Sequence, residues 1–169
     1  EEITFPVDDI DKAVMNLVNQ RFESHPGVCD LSKVPTTIEQ HNQALNWGMA
    51  NMEFFGPYED AMSSKSRYLF HSKLAISVNL HRLSPERIVN SALETNAPIN
   101  SIEGFFRQMI WREYVKHVHD VTDGFRALEV YDQMRDEPNF LSQNNPLPAA
   151  YWGEKTGLNC LDEVVSSVM

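Results

Sequence analysis

Cysteine is scarce in this sequence. Cys29 and Cys160 are the only two in 169 residues, and they form no CxxC pair. That usage argues against a disulfide framework and for a reducing compartment, here the cytoplasm. It also means that the chain cannot complete a four-cysteine metal site by itself. Long apolar runs are missing as well. Nothing approaches the roughly 20 residues that span a bilayer, so no membrane association is expected. Glu1-Glu2 puts negative charge where a secretory signal carries positive charge. No GxGxxG, Walker loop, GxSxG or HExxH is found, so the common nucleotide-binding and hydrolase readings lack support. The chain opens without methionine, and Asn159 to Met169 reads as a helix with no stop signal. The expectation is a piece of a longer protein.

What is present is ordinary in amount and uneven in placement. Hydrophobic residues make up 42% and charged residues 22%, as in globular domains, and the length suits one domain with a real core. The net charge is −10, which argues against nucleic acid until its distribution is considered. Residues 65 to 116 hold eight Lys/Arg against four acids, a local +4. The other 117 residues hold six bases and twenty acids. A basic middle in an acidic chain suggests an anion site, with chance fluctuation as the plain alternative.

The periodicity is helical throughout, and convincing period-two alternation is absent. Asp8 or Asp9 can cap a helix whose Ile10, Ala13, Val14, Leu17 and Val18 form one stripe. Ser24 to Pro35 is a loop. Thr37 and Gln40 form a capping box that opens a helix with Ile38, Leu45, Met49 and Met52 on one side, ending near Gly56-Pro57. A polar loop at Ser63 to Ser66 leads into a helix expected over Tyr68 to His81. Ser84-Pro85 is a strong start signal for a helix to about Thr95. Asn100 and Glu103 are expected to open the longest helix, to about His119, burying Ile102, Phe105, Phe106, Met109 and Val115. Asp136 to Pro148 is a loop. The expected architecture is an all-α, non-bundle domain.

Two segments can carry chemistry. His71-Ser72-Lys73 offers an imidazole, a hydroxyl and an ammonium at an expected helix start, where free N–H groups and the helix dipole favour an anion. The bland reading is a turn serine beside a solvated lysine. Trp111 and Arg112 point about 100° apart on a helix and can line two walls of one cavity. An arginine beside an aromatic suits a flat electron-rich ring or a phosphate. The bland reading is a core tryptophan and a surface arginine paired to Glu113 or Glu103. His117 and His119, two apart on a helix, face away from each other and do not make a metal pair. Asp132, Asp136 and Glu137 read as a solvated loop.

Four runs in order carry a resemblance: Phe55-Gly56-Pro57-Tyr58-Glu59-Asp60-Ala61-Met62, Leu69-Phe70-His71-Ser72-Lys73-Leu74, Leu83-Ser84-Pro85, and Gln108-Met109-Ile110-Trp111-Arg112-Glu113-Tyr114-Val115. They resemble the photolyase/cryptochrome family, and within it the bacterial iron–sulfur branch of deoxyribodipyrimidine photolyase-related proteins. The resemblance covers nearly the whole chain. It implies that residues 1 to 169 are part of the family's helical FAD-binding catalytic domain, with an antenna domain before and the rest of the pocket after.

By the same resemblance, Tyr58, His71, Ser72, Lys73 and Leu74 would hold the FAD diphosphate and ribitol region. Leu83-Ser84-Pro85 would help shape that pocket, and Arg112 would lie near the flavin. Gln108 and Trp111 would be catalytic residues on the lesion side, where a flipped base is stacked and read. Cys160 would be the first of four ligands to a [4Fe–4S] cluster. The implied parent is a light-dependent lyase, of the (6-4) type, acting as a monomer on UV-damaged DNA. A cryptochrome-like photoreceptor is the alternative. The fragment alone would be inactive.

Overall fold

Among the described residues there are seven α-helices, two 3-10 turns and no strand. The structure is a computed structural model, and it describes residues 2–63, 65, 66, 68–124, 146 and 148–168. The helices are α1 (Asp9–Arg21), α2 (Ile38–Ala50), α3 (Met52–Tyr58), α4 (Ala75–Asn79), α5 (Pro85–Leu93), α6 (Ile99–Val121) and α7 (Asn159–Val168). The all-α expectation therefore holds. The acidic group Asp132, Asp136 and Glu137 lies outside the described residues, as does the loop expected from Asp136 apart from Pro146 and Pro148. The chain forms two compact units. One comprises Glu1–Val18 and Asp30–Lys116, the other Asn19–Cys29 and His117–Met169.

The first unit carries the core, in which Leu45, Met52, Phe55, Leu74, Val78, Leu83, Ile88 and Phe105 are buried. Local signals set several helix starts. Asp8 and Asp11 cap each other's backbone N–H at 2.8 and 3.1 Å to open α1. Thr37 Oγ1 accepts from Gln40 N, and the Gln40 side chain accepts from Thr37 N, which is the expected capping box. Ser84 Oγ accepts from Arg87 N, with Pro85 as the first helical residue of α5. The face of α5 that carries Ile88 and Ala92 is fully buried.

The helix expected from Thr37 ends at Tyr58, near the expected stop, but is broken at Asn51 into α2 and α3, and Pro57 lies inside α3. Proline has no N–H to give the carbonyl of Glu53, four residues back. Ser101 Oγ donates to that carbonyl at 3.0 Å and accepts from Gly56 N at 3.0 Å. One buried hydroxyl thus satisfies both groups. A Cβ on Gly56 would lie 2.8 Å from Ser101 N, so glycine is what lets the α6 backbone come this close.

Four expectations change. The helix expected over Tyr68 to His81 shrinks to Ala75–Asn79. Leu69 and Lys73 adopt left-handed φ of 41° and 57°, which no α-helix can contain. Tertiary contacts hold that path: the Phe70 ring lies 4.7 Å from Phe54 and 5.0 Å from Tyr58, while Leu74 is buried in the core. The Asn100–Glu103 start is replaced by Pro98, whose carbonyl accepts from Ser101 N and Ile102 N, so α6 begins at Ile99. Val115 is exposed rather than part of the buried face of α6. The apolar stripe of α1 faces outward, with Ile10, Val14 and Leu17 exposed and Asp11 buried in its place. Asp11 turns inward because its carboxylate caps Asp8 N and lies 3.4 Å from Thr36 Oγ1.

In the second unit, α7 is opened by a carboxylate. Asp162 accepts from Thr156 N, Thr156 Oγ1 and Gly157 N. The Thr156 hydroxyl, followed by the Thr156 amide, holds the Asp162 carboxyl below the usual carboxylate range. Gly157 sits at φ 82°, in the left-handed region that favours glycine.

Candidate functional site

A cleft of about 720 Å³ lies in the first unit, within the size range of small-molecule sites. Its apolar floor is Phe55, Leu74, Val78, Phe105 and Met109. Its polar wall brings together the segment after the left-handed turn, His71-Ser72-Lys73, and one face of α6, Gln108 and Arg112. These two groups are about forty residues apart in sequence, and the shared core residues Leu74 and Phe105 seat both.

Six of the residues singled out from the sequence meet in this cleft: His71, Ser72, Lys73, Leu74, Gln108 and Arg112. Tyr58 and Trp111 are not among its lining residues. The Tyr58 ring rests on Phe70. Trp111 is 62% exposed, with its ring 5.5 Å from Tyr114, so it is neither core nor cavity wall in this chain. Cys160 is a free, exposed cysteine in the second unit. Among the described residues no three His, Cys, Asp or Glu side chains are grouped to hold a metal ion.

Both cations of the polar wall are paired with carboxylates. Lys73 Nζ is turned to Glu2, 2.6 Å from Oε1, and lies 4.1 Å from the centre of the Tyr68 ring. Arg112 donates to Glu113 at 2.7 Å and to Asn79, another lining residue, at 3.2 Å. The five-residue helix α4 starts at Ala75 and gives His71-Ser72-Lys73 no helix-dipole support.

Two features escaped sequence reasoning. Glu59 lines the cleft, and its Oε1 accepts from Arg107 at 2.6 Å while Oε2 is buried with no hydrogen-bond partner. The Glu59 and Glu103 carboxylates raise the Arg107 pKa above its ordinary value, Glu59 contributing most. Gly104 makes room for this carboxylate, since a Cβ there would meet Glu59 Oε2 at 2.5 Å. The partners are forty-eight positions apart, so no local spacing announces them. The second feature is the buried His41, with Nδ1 2.9 Å from Ser77 Oγ. Burial, then the Arg82 charge, pushes its pKa below the usual histidine value.

No family model matches the sequence. The chain is 30% identical over 171 residues to (6-4) photolyase of Agrobacterium fabrum, an alignment covering 98% of this chain and 32% of that protein. It is 26% identical over 115 residues to uncharacterized protein R853 of Acanthamoeba polyphaga mimivirus, covering 65% of this chain and 81% of that one. Over almost its whole length, this helical chain is thus distantly similar to a stretch that makes up 32% of a (6-4) photolyase.

Proposed function

We propose that this chain is part of the FAD-binding helical domain of a light-dependent photolyase of the (6-4) type, acting on UV-damaged DNA. The observation that carries the reading is the meeting of His71, Ser72, Leu74, Gln108 and Arg112 around one cleft. The likeness to a (6-4) photolyase supports it over nearly the same residues. The iron–sulfur branch, the bacterial and cytoplasmic setting and the monomeric state belong to this reading.

The cleft suits a flavin nucleotide in three respects. Its floor is apolar, its volume is adequate, and its rim offers a guanidinium, a hydroxyl and an imidazole. Arg112 would pair with an anionic edge of the cofactor, and Ser72 and His71 would hydrogen-bond phosphate oxygens. Leu74 and Phe105 would seat the ring and exclude water. When bound, the flavin supplies the photoexcited electron, and the protein supplies position and field. Gln108 would present an amide to an extruded base, with Trp111 beside the DNA rather than inside the cleft of this chain. Cys160 would give one thiolate to a [4Fe–4S] cluster. The described residues alone do not fit a cluster, and the other three thiolates would come from outside this chain.

The test is made on the full-length protein. Bound FAD in its visible spectrum, and light-dependent reversal of lesions in a UV-irradiated oligonucleotide, are expected. Arg112→Ala and Ser72→Ala should each lower FAD content while the fold is retained. Affinity for damaged duplex should fall steeply with salt through counterion release. A colourless full-length protein sinks the reading. A flavoprotein with no repair activity points to the cryptochrome-like photoreceptor instead. The isolated 169-residue chain should purify without stoichiometric FAD and without activity.

A further inference from the structure

A second cleft, of about 490 Å³, opens between the carboxyl end of α2, the 3-10 turn Leu31–Lys33 and the segment before the left-handed turn. Its lining includes Lys33, Lys65, Trp47, Asn51, Tyr68 and Glu2. We propose that this cleft binds a phosphorylated aromatic small molecule of the mononucleotide class. The proposal does not depend on the flavin reading of the first cleft.

Three observations carry it. The first is charge. Lys33 and Lys65 both line this cleft and form no salt bridge within 4 Å among the described residues; the Asp30 carboxylate faces Lys33 only at longer range. Ammonium groups bind phosphate as point charges and need no bidentate geometry. Glu2, the one carboxylate in the lining, is already neutralised by Lys73 at 2.6 Å, so it does not cancel the two lysines.

The second observation is the pairing of these cations with aromatic walls. Trp47 and Tyr68 line the cleft, and ring-on-base stacking is a general way to hold a nucleobase. The Lys73 ammonium lies 4.1 Å from the centre of the Tyr68 ring, a cation–π contact that helps hold the ring in place.

The third is a hydrogen-bonding group at the aromatic end. Asn51 Nδ2 donates to the Trp47 carbonyl at 2.8 Å, which orients the amide and leaves Oδ1 to accept from an amino group on a base. A phosphate end and a ring end are thus both provided, at a volume suited to one nucleotide.

The experiment is calorimetric titration of the purified protein with adenosine 5′-monophosphate, inorganic phosphate and adenosine. Saturable binding of the monophosphate, tighter than either half alone and weakened by salt, is expected. The paired variant Lys33→Glu, Lys65→Glu changes exposed side chains and should keep its thermal melt. It should weaken binding on the order of tenfold or more, as loss of charge-assisted bonds implies. Trp47→Ala should weaken the monophosphate but leave inorganic phosphate unchanged. Arg112→Ala, in the other cleft, should have no effect. Absence of binding overturns the proposal. So does undiminished binding by the paired lysine variant, or loss of binding in Arg112→Ala alone, which would place the nucleotide in the first cleft. Inorganic phosphate binding as tightly as the monophosphate would remove the aromatic half and overturn the stated ligand class. FAD content, read separately, distinguishes any of these results from failure of the flavin reading.

Discussion

His41 Nδ1 lies 2.9 Å from Ser77 Oγ, and both side chains are almost wholly buried between α2 and α4. The pair ties α2 to α4. A neutral imidazole satisfies the hydroxyl, whereas a charged one would be a desolvated cation near Arg82.

That arrangement predicts a pH dependence of stability. The folded pKa of His41 is below its ordinary value of 6.5, with burial the first cause. The unfolded state therefore binds more protons than the folded state as pH falls through about 6.5. Stability is full above that value and is lost progressively below it, levelling off under the folded pKa. Thermal melts from pH 8 to pH 5 should show this fall, and His41→Gln should flatten it. A wild-type melt that does not move over this range would show the imidazole to be indifferent to its burial.

The Gly56–Ser101 contact should be intolerant of change. Gly56→Ala places a methyl group 2.8 Å from the Ser101 backbone nitrogen, and backbone cannot yield as a side chain does. A loss of about 1–3 kcal/mol is expected from overpacking. Ser101→Ala leaves the Glu53 carbonyl without the donor that stands in for the missing proline N–H, with a similar cost of about 1–3 kcal/mol. Urea unfolding monitored by circular dichroism measures both. A Ser101→Ala loss restored by replacing Pro57 with alanine would identify the missing proline N–H as the reason the hydroxyl is needed.

Helix caps give a smaller effect at defined places. Thr37→Ala and Ser84→Ala each remove a side-chain acceptor from a third-residue amide. Each should cost about 1 kcal/mol, and replacement by Asp should keep most of the stability. Equal stability of the Ala and Asp variants at position 84 would mean that Pro85 alone sets the start of α5.

The Glu2–Lys73 pair bears on the flavin reading. While Glu2 holds the ammonium at 2.6 Å, Lys73 lines the first cleft with its charge already paired. Glu2→Gln removes the competing charge, and FAD affinity of the full-length protein should rise severalfold. Lys73→Ala should then abolish that gain. An affinity that Glu2→Gln leaves unchanged would show that Lys73 serves structure through Tyr68 rather than the cofactor.

The all-α class and the starts of α2 and α5 were legible in the sequence because they rest on local chemistry. A cap and the amide it satisfies lie three residues apart, and proline at a first helical position fits the φ it cannot change. The path from Tyr68 to Lys73 was not legible. Leucine and lysine do not favour left-handed φ by themselves, and the stacking of Phe70 on Phe54 and Tyr58 holds them there.

The outward face of α1 has the same origin. Ile10, Val14 and Leu17 make a regular stripe, yet Asp11 occupies the buried position because Asp8 and Thr36 satisfy its carboxylate. Periodicity reports which residues share a face and is silent on which face meets the core.

For the candidate site the division is similar. The sequence by itself determined the residue types that could meet a phosphate or a ring, and it singled out His71-Ser72-Lys73 and Trp111-Arg112. Tertiary structure alone decided that Arg112 lines the cleft and Trp111 does not, that Glu2 takes the Lys73 ammonium, and that Glu59 pairs with Arg107 over Gly104. Charge pairs between residues tens of positions apart depend on how the helices pack, and sequence spacing carries no record of that packing.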